Sequence, residues 1–299
     1  MARSKLHITS LDDRIVDTLV YVLGTLITVI AAYPLIFVLS ASFSEPSSVI
    51  TGKVVLWPVN FTVEGYKTIL EYAGIWTGYR NTIFYTVVGT LNNLFMTMIC
   101  AYPLSRRGLP GRKGLMLFFV FTMYFSGGMI PSYLLMRSLG YINTVWAIIV
   151  PGSFSVYQMI VARTFINSTI PEELFEAATI DGCSDFRYFQ TFVVPLSKAI
   201  ITVMTLQYAV GHWNDYWKGM IYLNDQKLYP LQLILRGILT LDQIDFSLLT
   251  DYEEILRLQS RKELIKYGII IVSTVPMLVI YPFLQKYFVK GVMIGSLKG

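Results

Sequence analysis

Charge and cysteine are both scarce in this sequence. Of its 299 residues, 14% are charged and 54% are hydrophobic, whereas a soluble domain averages about 25% charged and 45–50% apolar residues. The two cysteines, Cys100 in an apolar stretch and Cys183 in a polar one, argue against a disulfide scaffold. The composition is therefore that of a membrane protein, and the length fits one transmembrane domain over residues 1–299.

Motifs for catalysis and metal binding are also missing. The two histidines, His7 and His212, cannot form a paired-histidine metal site, and no HExxH, GxSxG or clustered Cys/His motif occurs. We expect no catalytic residue, no metal site and no cofactor in this chain. Because it has no G-x4-G-K-[ST] phosphate loop, any ATP and Mg²⁺ would be bound by a separate subunit. The net charge of +5 does not indicate a nucleic-acid partner, since Lys and Arg are spread over short loops.

What the sequence does have is long apolar stretches. A bilayer core of about 30 Å needs about 20 apolar helical residues, and six stretches are long enough. The first is longer than the apolar region of a secretion signal, so we expect it to be retained as a span. The third and fifth are interrupted by polar or flexible residues at 126–131 and 212–215. The predicted spans are 15–41 (with Pro34), 81–104, 115–136, 142–165, 197–222 and 264–287.

The distribution of basic residues predicts the orientation. The short loop RRGLPGRKG, Arg106 to Gly114, carries four basic residues and no acid, which is typical of a cytoplasmic loop. With six spans, both termini and the segment 166–196 then lie in the cytoplasm as well.

Segment 166–196 carries signals for two short helices. Thr169 is a candidate N-cap with Glu172 three residues later and Pro171 in the first turn. Gly182 should end the first helix, and Ser184 should cap the second. The segment is therefore predicted to be a helix–turn–helix lying flat on the cytoplasmic face.

The surface of the first helix leaves two interpretations open. Leu174, Ala177 and Ala178 share one face, and the two alanines would let another surface approach closely. The helix could be an interfacial connector between two spans. Against this, a connector on an anionic membrane surface favours Lys and Arg, whereas this helix presents acids. Acids beside small residues suit a basic groove in a partner protein.

The same segment resembles a known motif. Residues 176–195 are similar to the EAA loop, E-A-A-x3-G-x9-I-x-L-P, of ABC importer permeases, with Phe192 in place of Ile and Val194 in place of Leu. The stretch IPEELFEAATIDG, the WND at 213–215 and the tail FVKGVMIGSLKG resemble the maltose-type carbohydrate branch. FSGGMIPSYLL, 125–135, resembles its complex-polysaccharide (LplC/YtcP) subgroup.

This resemblance implies a fold and a function. The fold would be the all-α type I ABC importer permease fold, with six transmembrane helices and a cytoplasmic coupling helix between spans 4 and 5. The chain would be a subunit of an oligosaccharide importer in a bacterial cytoplasmic membrane, for acidic glycans such as alginate or pectin fragments. Its implied partners are a second homologous permease in a heterodimer, a dimeric ATP-binding subunit and an extracytoplasmic solute-binding protein.

The resemblance also assigns roles to residues of the acidic helix. Glu176 would pair with a basic residue of the ATPase, and Gly182 would be the hinge into the second helix. Asp181 has two open roles, in coupling or in a local cap or ion pair. The implied coupling set is Glu172, Glu176, Ala177, Ala178, Asp181 and Gly182.

Polar residues within the spans are candidates for the substrate path, because amides, carboxylates and aromatic faces suit sugars. Each has an alternative role, since Asn and Gln often bond between helices and Trp is common at membrane interfaces. The candidates for the substrate path are Asn92, Asn93, Tyr124, Gln158, Gln207, His212, Trp213, Asn214 and Asp215.

A secondary transporter driven by an ion gradient remains an alternative function, with Asp215 as the carboxylate available for ion coupling.

Overall fold

The computed structural model describes residues 11–240, 265–279 and 282 of the chain. These residues form helices joined by turns and loops, with an isolated antiparallel bridge between Ser44 and Phe61. A 3-10 turn, Gln226–Leu228, precedes the last helix before residue 241. In chain order the helices are α1 (Leu11–Ser42), α2 (Pro46–Ile50), α3 (Glu64–Glu71), α4 (Ala73–Ser105), α5 (Arg112–Tyr124), α6 (Met129–Ser138), α7 (Trp146–Ile149), α8 (Val156–Thr169), α9 (Glu172–Ile180), α10 (Asp185–Leu196, with a π-helical turn at Phe189–Val193), α11 (Lys198–Trp213), α12 (Trp217–Tyr222), α13 (Leu231–Thr240) and α14 (Ile265–Val279).

Two of these helices are long and apolar enough to cross a membrane as single helices. Helix α1 covers the predicted span 15–41, including Pro34, and α4 covers 81–104. The predicted span 115–136 is divided into α5 and α6, which are bent by 112° at the Phe125–Gly128 break, where Gly128 has a φ of +82°. Up to four spans are counted in the described residues if each bent pair of helices is one span.

The stretches 142–165 and 197–222 are not single helices. The break in 142–165 corrects the expectation of a continuous span, whereas the break in 197–222 lies next to the predicted interruption at 212–215. The first contains α7, a loop and then α8, which begins at Val156. Pro151 and Gly152 cause this break, because proline lacks an N–H donor and Gly152 has a φ of +87°. The second contains α11 and α12, separated by residues 214–216. Of the stretch 264–287, residues 280, 281 and 283–287 lie outside the described residues, as do residues 288–299.

The described helices belong to two compact units. One includes α1, α2 and α3, the other includes α4 to α13, and α14 contributes residues to each. In the first unit the hydroxyl of Tyr66 donates to Ser42 Oγ at 2.8 Å, and the rings of Phe43 and Phe61 stack 5.5 Å apart. Helix α1 exposes apolar side chains along its length, as a helix in contact with lipid would.

In the second unit, α8 and α11 pack on α4. Ala101 and Ala162 are fully buried between them, and such small residues let apolar helices approach closely. Near the start of α4, Asn81 donates to the carbonyls of Lys227 and Tyr229, and Leu231 N donates to Thr82 Oγ1 at 2.7 Å. These bonds attach the segment before α13 to α4.

Candidate functional site

Helix α9, the predicted coupling helix, begins three residues later than Thr169. Thr169 is the last residue of α8, and Ile170 and Pro171 are both extended. Pro171 is thus the N-cap of α9 and not part of its first turn, which corrects the predicted start. The reason is local, because the residue before a proline is disfavoured in the helical region. Glu172 and Glu173 occupy the first turn, where the helix dipole favours acids.

The end of α9 is a Schellman motif. Cys183 N donates to the Ala178 carbonyl at 2.9 Å, and Gly182 N donates to the Thr179 carbonyl at 3.0 Å. The motif needs a residue in the left-handed region after the C-cap, and Gly182 has a φ of +76°. Gly182 therefore ends the helix as predicted, with Asp181 as the C-cap residue.

The inner face of α9 packs against α10, in a hydrophobic cluster that also includes residues of α4. The Phe175 ring meets the buried Tyr188 ring edge-on at 5.1 Å, and Tyr188 stacks on Phe192 at 5.3 Å. Ala178 lies in the same cluster and is 7% exposed, whereas Ala177 is exposed. The expectation that both alanines form one exposed contact surface is therefore wrong, because they lie about 100° apart on the helix and Ala178 contacts its own chain.

The outer face of α9 carries Glu173, Glu176, Ala177 and Ile180, which we call the outer stripe. These four residues are exposed, and they follow the i, i+3, i+4, i+7 spacing of one helix face. Ile180 is 86% exposed. This face offers a partner protein two carboxylates beside one exposed apolar side chain.

Glu172 is engaged within the chain. Its Oε1 lies 3.0 Å from Nη2 of Arg106, the residue directly after α4. The Arg106 guanidinium also lies over the Phe175 ring, with Cζ 3.4 Å from the ring centroid. Glu172 therefore differs from Glu176, whose side chain is exposed. The structure links α9 to the end of α4 through this contact.

The second helix begins as predicted. Ser184 Oγ accepts from Arg187 N at 3.4 Å, as an N-cap does. Next to this cap Phe186 is 65% exposed. Neither Ile180 nor Phe186 is among the site residues predicted from the sequence. Ile180 was predictable, because it lies seven residues after Glu173 and therefore on the same helix face. No spacing in the sequence indicates that Phe186 is exposed.

Among the candidate path residues, Asn93 and His212 are brought together. Asn93 is 2% exposed, its Nδ2 donates to the Gly152 carbonyl at 2.6 Å, and its Oδ1 lies 2.9 Å from His212 Nε2. The His212 ring packs on Gly89, where an added Cβ would lie 2.5 Å from it. This cluster joins α4 to α11 and to the loop before α8.

Four further candidates bond to neighbouring elements in the same way. Asn92 Nδ2 donates to Ser153 Oγ at 2.8 Å, and Gln158 on α8 donates to Gln207 on α11. Trp213 is 4% exposed, and its Nε1 donates to the Ser273 carbonyl at 3.0 Å.

The other candidates lie near helix ends. Asp215 forms an ion pair with Lys218 at 2.8 Å and accepts from the Lys218 N–H in the first turn of α12. Asn214 is exposed, and its Nδ2 donates to the Val210 carbonyl of its own helix at 3.0 Å. Tyr124, at the end of α5, is 78% exposed. Most of the polar candidates thus bond within the protein: Asn92, Asn93, Gln158, Gln207 and His212 connect α4, the loop before α8, α8 and α11, Trp213 bonds to α14, and Asp215 pairs with Lys218. Tyr124 and Asn214 form a smaller exposed group.

Comparison with known proteins identifies the kind of protein in which this arrangement occurs. Residues 72–239, which include α4 to α12 and nearly all of α13, match the family model described as binding-protein-dependent transport system inner membrane component. The chain belongs to this family. It is therefore a permease subunit of an ABC importer, an integral protein of the inner membrane that works with a binding protein and an ATPase. Family membership excludes the ion-gradient-driven alternative.

Two Bacillus subtilis proteins are similar to the permease over most of its length. It is 38% identical over 290 residues to the polygalacturonan/rhamnogalacturonan transport system permease protein YtcP of Bacillus subtilis, which covers 96% of this chain and 99% of the relative. It is also 38% identical to Protein LplC of the same organism, with 90% of each chain covered.

A solved structure has the same fold. It is described as a bacterial ABC transporter involved in the import of the acidic polysaccharide alginate. The two chains share 33% identity with a TM-score of 0.83, over 93% of this permease and 98% of the other chain. The permease therefore has the all-α type I fold that the EAA loop implied.

Proposed function

We propose that this permease pairs with a second, homologous but non-identical permease to enclose a path for an oligosaccharide. A dimeric ATP-binding subunit, binding ATP and Mg²⁺, would contact the outer stripe of α9, and a solute-binding protein would deliver the glycan on the other side of the membrane.

The outer stripe is the observation that carries this proposal. Glu176 offers a charge to a basic residue of the ATPase, and Ile180 offers an apolar contact that is 86% exposed. The inner face is fixed by Phe175 and Tyr188, whose rings lie 5.1 Å apart. Because of these contacts, α9 should move together with α10 and the end of α4. Movement of the ATPase against the outer stripe would then be transmitted to the transmembrane helices.

The orientation follows from the contact between Arg106 and Glu172. Arg106 belongs to the basic loop 106–114, and Glu172 belongs to α9, so the loop and α9 share a side of the membrane. Since the loop carries four basic residues and no acid, the positive-inside rule assigns both to the cytoplasm. The same assignment would make both chain termini cytoplasmic.

The substrate we propose is an acidic glycan fragment built of uronic acids. The support comes from the relatives, of which one is named for polygalacturonan and rhamnogalacturonan and another is described as importing alginate. Among the path candidates, Tyr124 and Asn214 have exposed side chains that could contact a sugar.

The coupling role is tested in proteoliposomes that contain the whole importer, with ATP inside and the binding protein outside. Glu176→Lys and Ile180→Asp should each lower glycan uptake at least tenfold. The first reverses the charge offered to the ATPase, and the second replaces the apolar contact by a charge. Thr179→Asp is the matched control, since Thr179 is an exposed neighbour off the stripe whose hydroxyl bonds to its own helix.

Uptake by the control should stay within about twofold of wild type, and all variants should assemble equally in the membrane. Normal uptake by both Glu176→Lys and Ile180→Asp would refute the coupling role. Uptake of neutral oligosaccharides in preference to uronic ones would refute the proposed substrate while leaving the coupling role intact.

A further inference from the structure

A groove at loop 106–114 is distinct from the outer stripe of α9. It has a volume of about 780 Å³ and is lined by the loop, the start of α5 and one residue of α8. Among the described residues that line it, four are cationic and none is acidic. The side chains that define its chemistry are Arg107, Arg112, Lys113 and Arg163, with Leu109 and Met116.

Arg163 reaches this groove from a different helix. Its Nε donates to the Leu104 carbonyl at 2.8 Å, near the end of α4. This bond uses one of the five N–H donors of the guanidinium and fixes its position beside the loop. The other cations come from a stretch of the sequence 50 or more residues earlier, so their convergence with Arg163 is a property of the fold.

One acid lies in an adjoining pocket and is already paired. Glu172 pairs with Arg106 at 3.0 Å in a pocket of about 250 Å³ that Arg107 and Arg112 of the groove also line. The described linings of the two pockets hold five cations, Arg106, Arg107, Arg112, Lys113 and Arg163, against this one acid. Like charges gathered at one place repel one another, so the four cations of the groove favour a bound anion. Arginine's planar fork matches the oxygen atoms of a phosphate particularly well.

The apolar lining indicates the source of that phosphate. Leu109 and Met116 are half-buried and pack against the hydrophobic cluster of the second unit. The groove lies beside the end of α4, where Arg163 bonds to Leu104, and at the beginning of α5, where a membrane-spanning helix meets the lipid headgroups. The cations match the phosphate headgroup of a phospholipid, and the apolar side chains match its acyl chains. Basic pockets between membrane helices bind anionic headgroups.

We propose that this groove is a binding site for the phosphate headgroup of an anionic phospholipid. Arg112 and Arg163 would hold the phosphate oxygens, Arg107 and Lys113 would add positive potential, and the first acyl carbons would cover Leu109 and Met116. The site does not depend on the proposed ATPase contact or on the glycan, although its assignment to the cytoplasmic leaflet rests on the proposed orientation.

Native mass spectrometry of the purified importer tests this site. The complex is delipidated and incubated with phosphatidylglycerol or with phosphatidylcholine, and the lipids that remain bound are counted. The wild type should retain at least one phosphatidylglycerol that resists competition by phosphatidylcholine. In Arg112→Gln/Lys113→Gln its retention should fall by roughly tenfold or more, because each basic residue near an anionic surface strengthens lipid binding several-fold.

Three comparisons make the result decisive. Arg187→Gln removes an exposed cation of α10 that does not line the groove, and it should retain the lipid as the wild type does. Arg163→Lys keeps the charge but loses the planar fork, so it should weaken retention less than the double variant. Inorganic phosphate at millimolar concentration should not displace the lipid.

Each contrary outcome overturns the proposal. Equal retention of both lipids, or equal loss in Arg187→Gln and the double variant, would show that the groove is not a specific site. Displacement by inorganic phosphate would assign it to a soluble phosphate. Because lipid retention is measured without turnover, failure here leaves the proposed coupling role untouched.

Discussion

Arg106 and Glu172 connect two elements that are distant in sequence, with 3.0 Å between Nη2 and Oε1. Arg106 follows α4 directly, and Glu172 is the first residue of α9. The same guanidinium covers the Phe175 ring at 3.4 Å. One arginine thus holds the first turn of α9 by charge and by ring contact, so any displacement of α9 would be passed to the longest helix of the second unit.

Breaking this contact should reduce coupling more than stability. Arg106→Gln and Glu172→Gln should each lower the amount of glycan imported per ATP hydrolysed several-fold. The effect on Tm should be small, because a partly exposed ion pair contributes less than about 1 kcal/mol. The double variant should resemble the worse single variant, since both remove one interaction. The ratio is measured in proteoliposomes. If the fold-losses of the two single variants multiply in the double variant, Arg106 and Glu172 do not act through one shared contact.

Replacements of Gly182 should be tolerated according to how readily the new residue adopts a positive φ, and not according to its size. Nothing lies within 4 Å of a Cβ built there, but its φ is +76°. A β-branched residue in that region costs about 1–2 kcal/mol, so Gly182→Val should alter the turn between α9 and α10 and reduce uptake severalfold. Gly182→Asn should retain most uptake, because Asn adopts the left-handed region more readily.

A matched control for Gly182→Val is Gly108→Val. Gly108 also has open space around its Cβ position, and its φ lies outside the left-handed range. Its uptake and Tm should equal those of the wild type. Equal uptake by Gly182→Val and Gly182→Asn would show that the turn conformation does not matter for transport.

Gly89 should be intolerant of even a methyl group. A Cβ at Gly89 would lie 2.5 Å from the His212 ring, and that ring is held by Asn93 at 2.9 Å. Gly89→Ala should therefore destabilise the protein by about 1–3 kcal/mol through overpacking, which lowers the Tm of the detergent-solubilised permease by several degrees. Gly211→Ala is the control, because a Cβ at Gly211 would lie in open space. It should leave the Tm unchanged.

The ends of α9 show how far local sequence signals reach. Its C-terminus was predictable because Gly182 supplies the positive φ that a Schellman motif needs. Its N-cap was misplaced by two residues, at Thr169 instead of Pro171, because Thr169 had two possible roles, as a cap or as the last residue of α8. The Ile170–Pro171 pair decided between them, since both residues are extended.

The interpretation of polar residues needed the tertiary structure. Asn93 bonds to Gly152 and His212, which lie 59 and 119 residues away, and no pattern in the sequence shows such pairing. The break in 142–165 was different, because Pro151-Gly152 marks it in the sequence itself. Arg163 is a third case, since only folding brings it to Leu104 and the basic loop.

Two asparagines separate the structural role from the transport role. Asn93→Ala removes an amide that is 2% exposed and leaves the Gly152 carbonyl and His212 without their partner. It should lower the Tm markedly, because an unsatisfied buried polar group costs about 1–3 kcal/mol. Asn214→Ala should leave the Tm within about 2 °C of wild type, because its side chain is exposed and bonds to its own helix.

Uptake normalised to folded protein then distinguishes the two roles. If Asn214 contacts the glycan, its alanine variant should import at least fivefold more slowly, with the loss expressed as a higher half-saturating concentration of the loaded binding protein or as a lower maximal rate. Asn93→Ala should import at a rate close to wild type per folded molecule, because its bonds are to the protein. The reverse pattern, normal uptake by Asn214→Ala and loss in correctly folded Asn93→Ala, would move the substrate path from the exposed group to the buried cluster between α4 and α11.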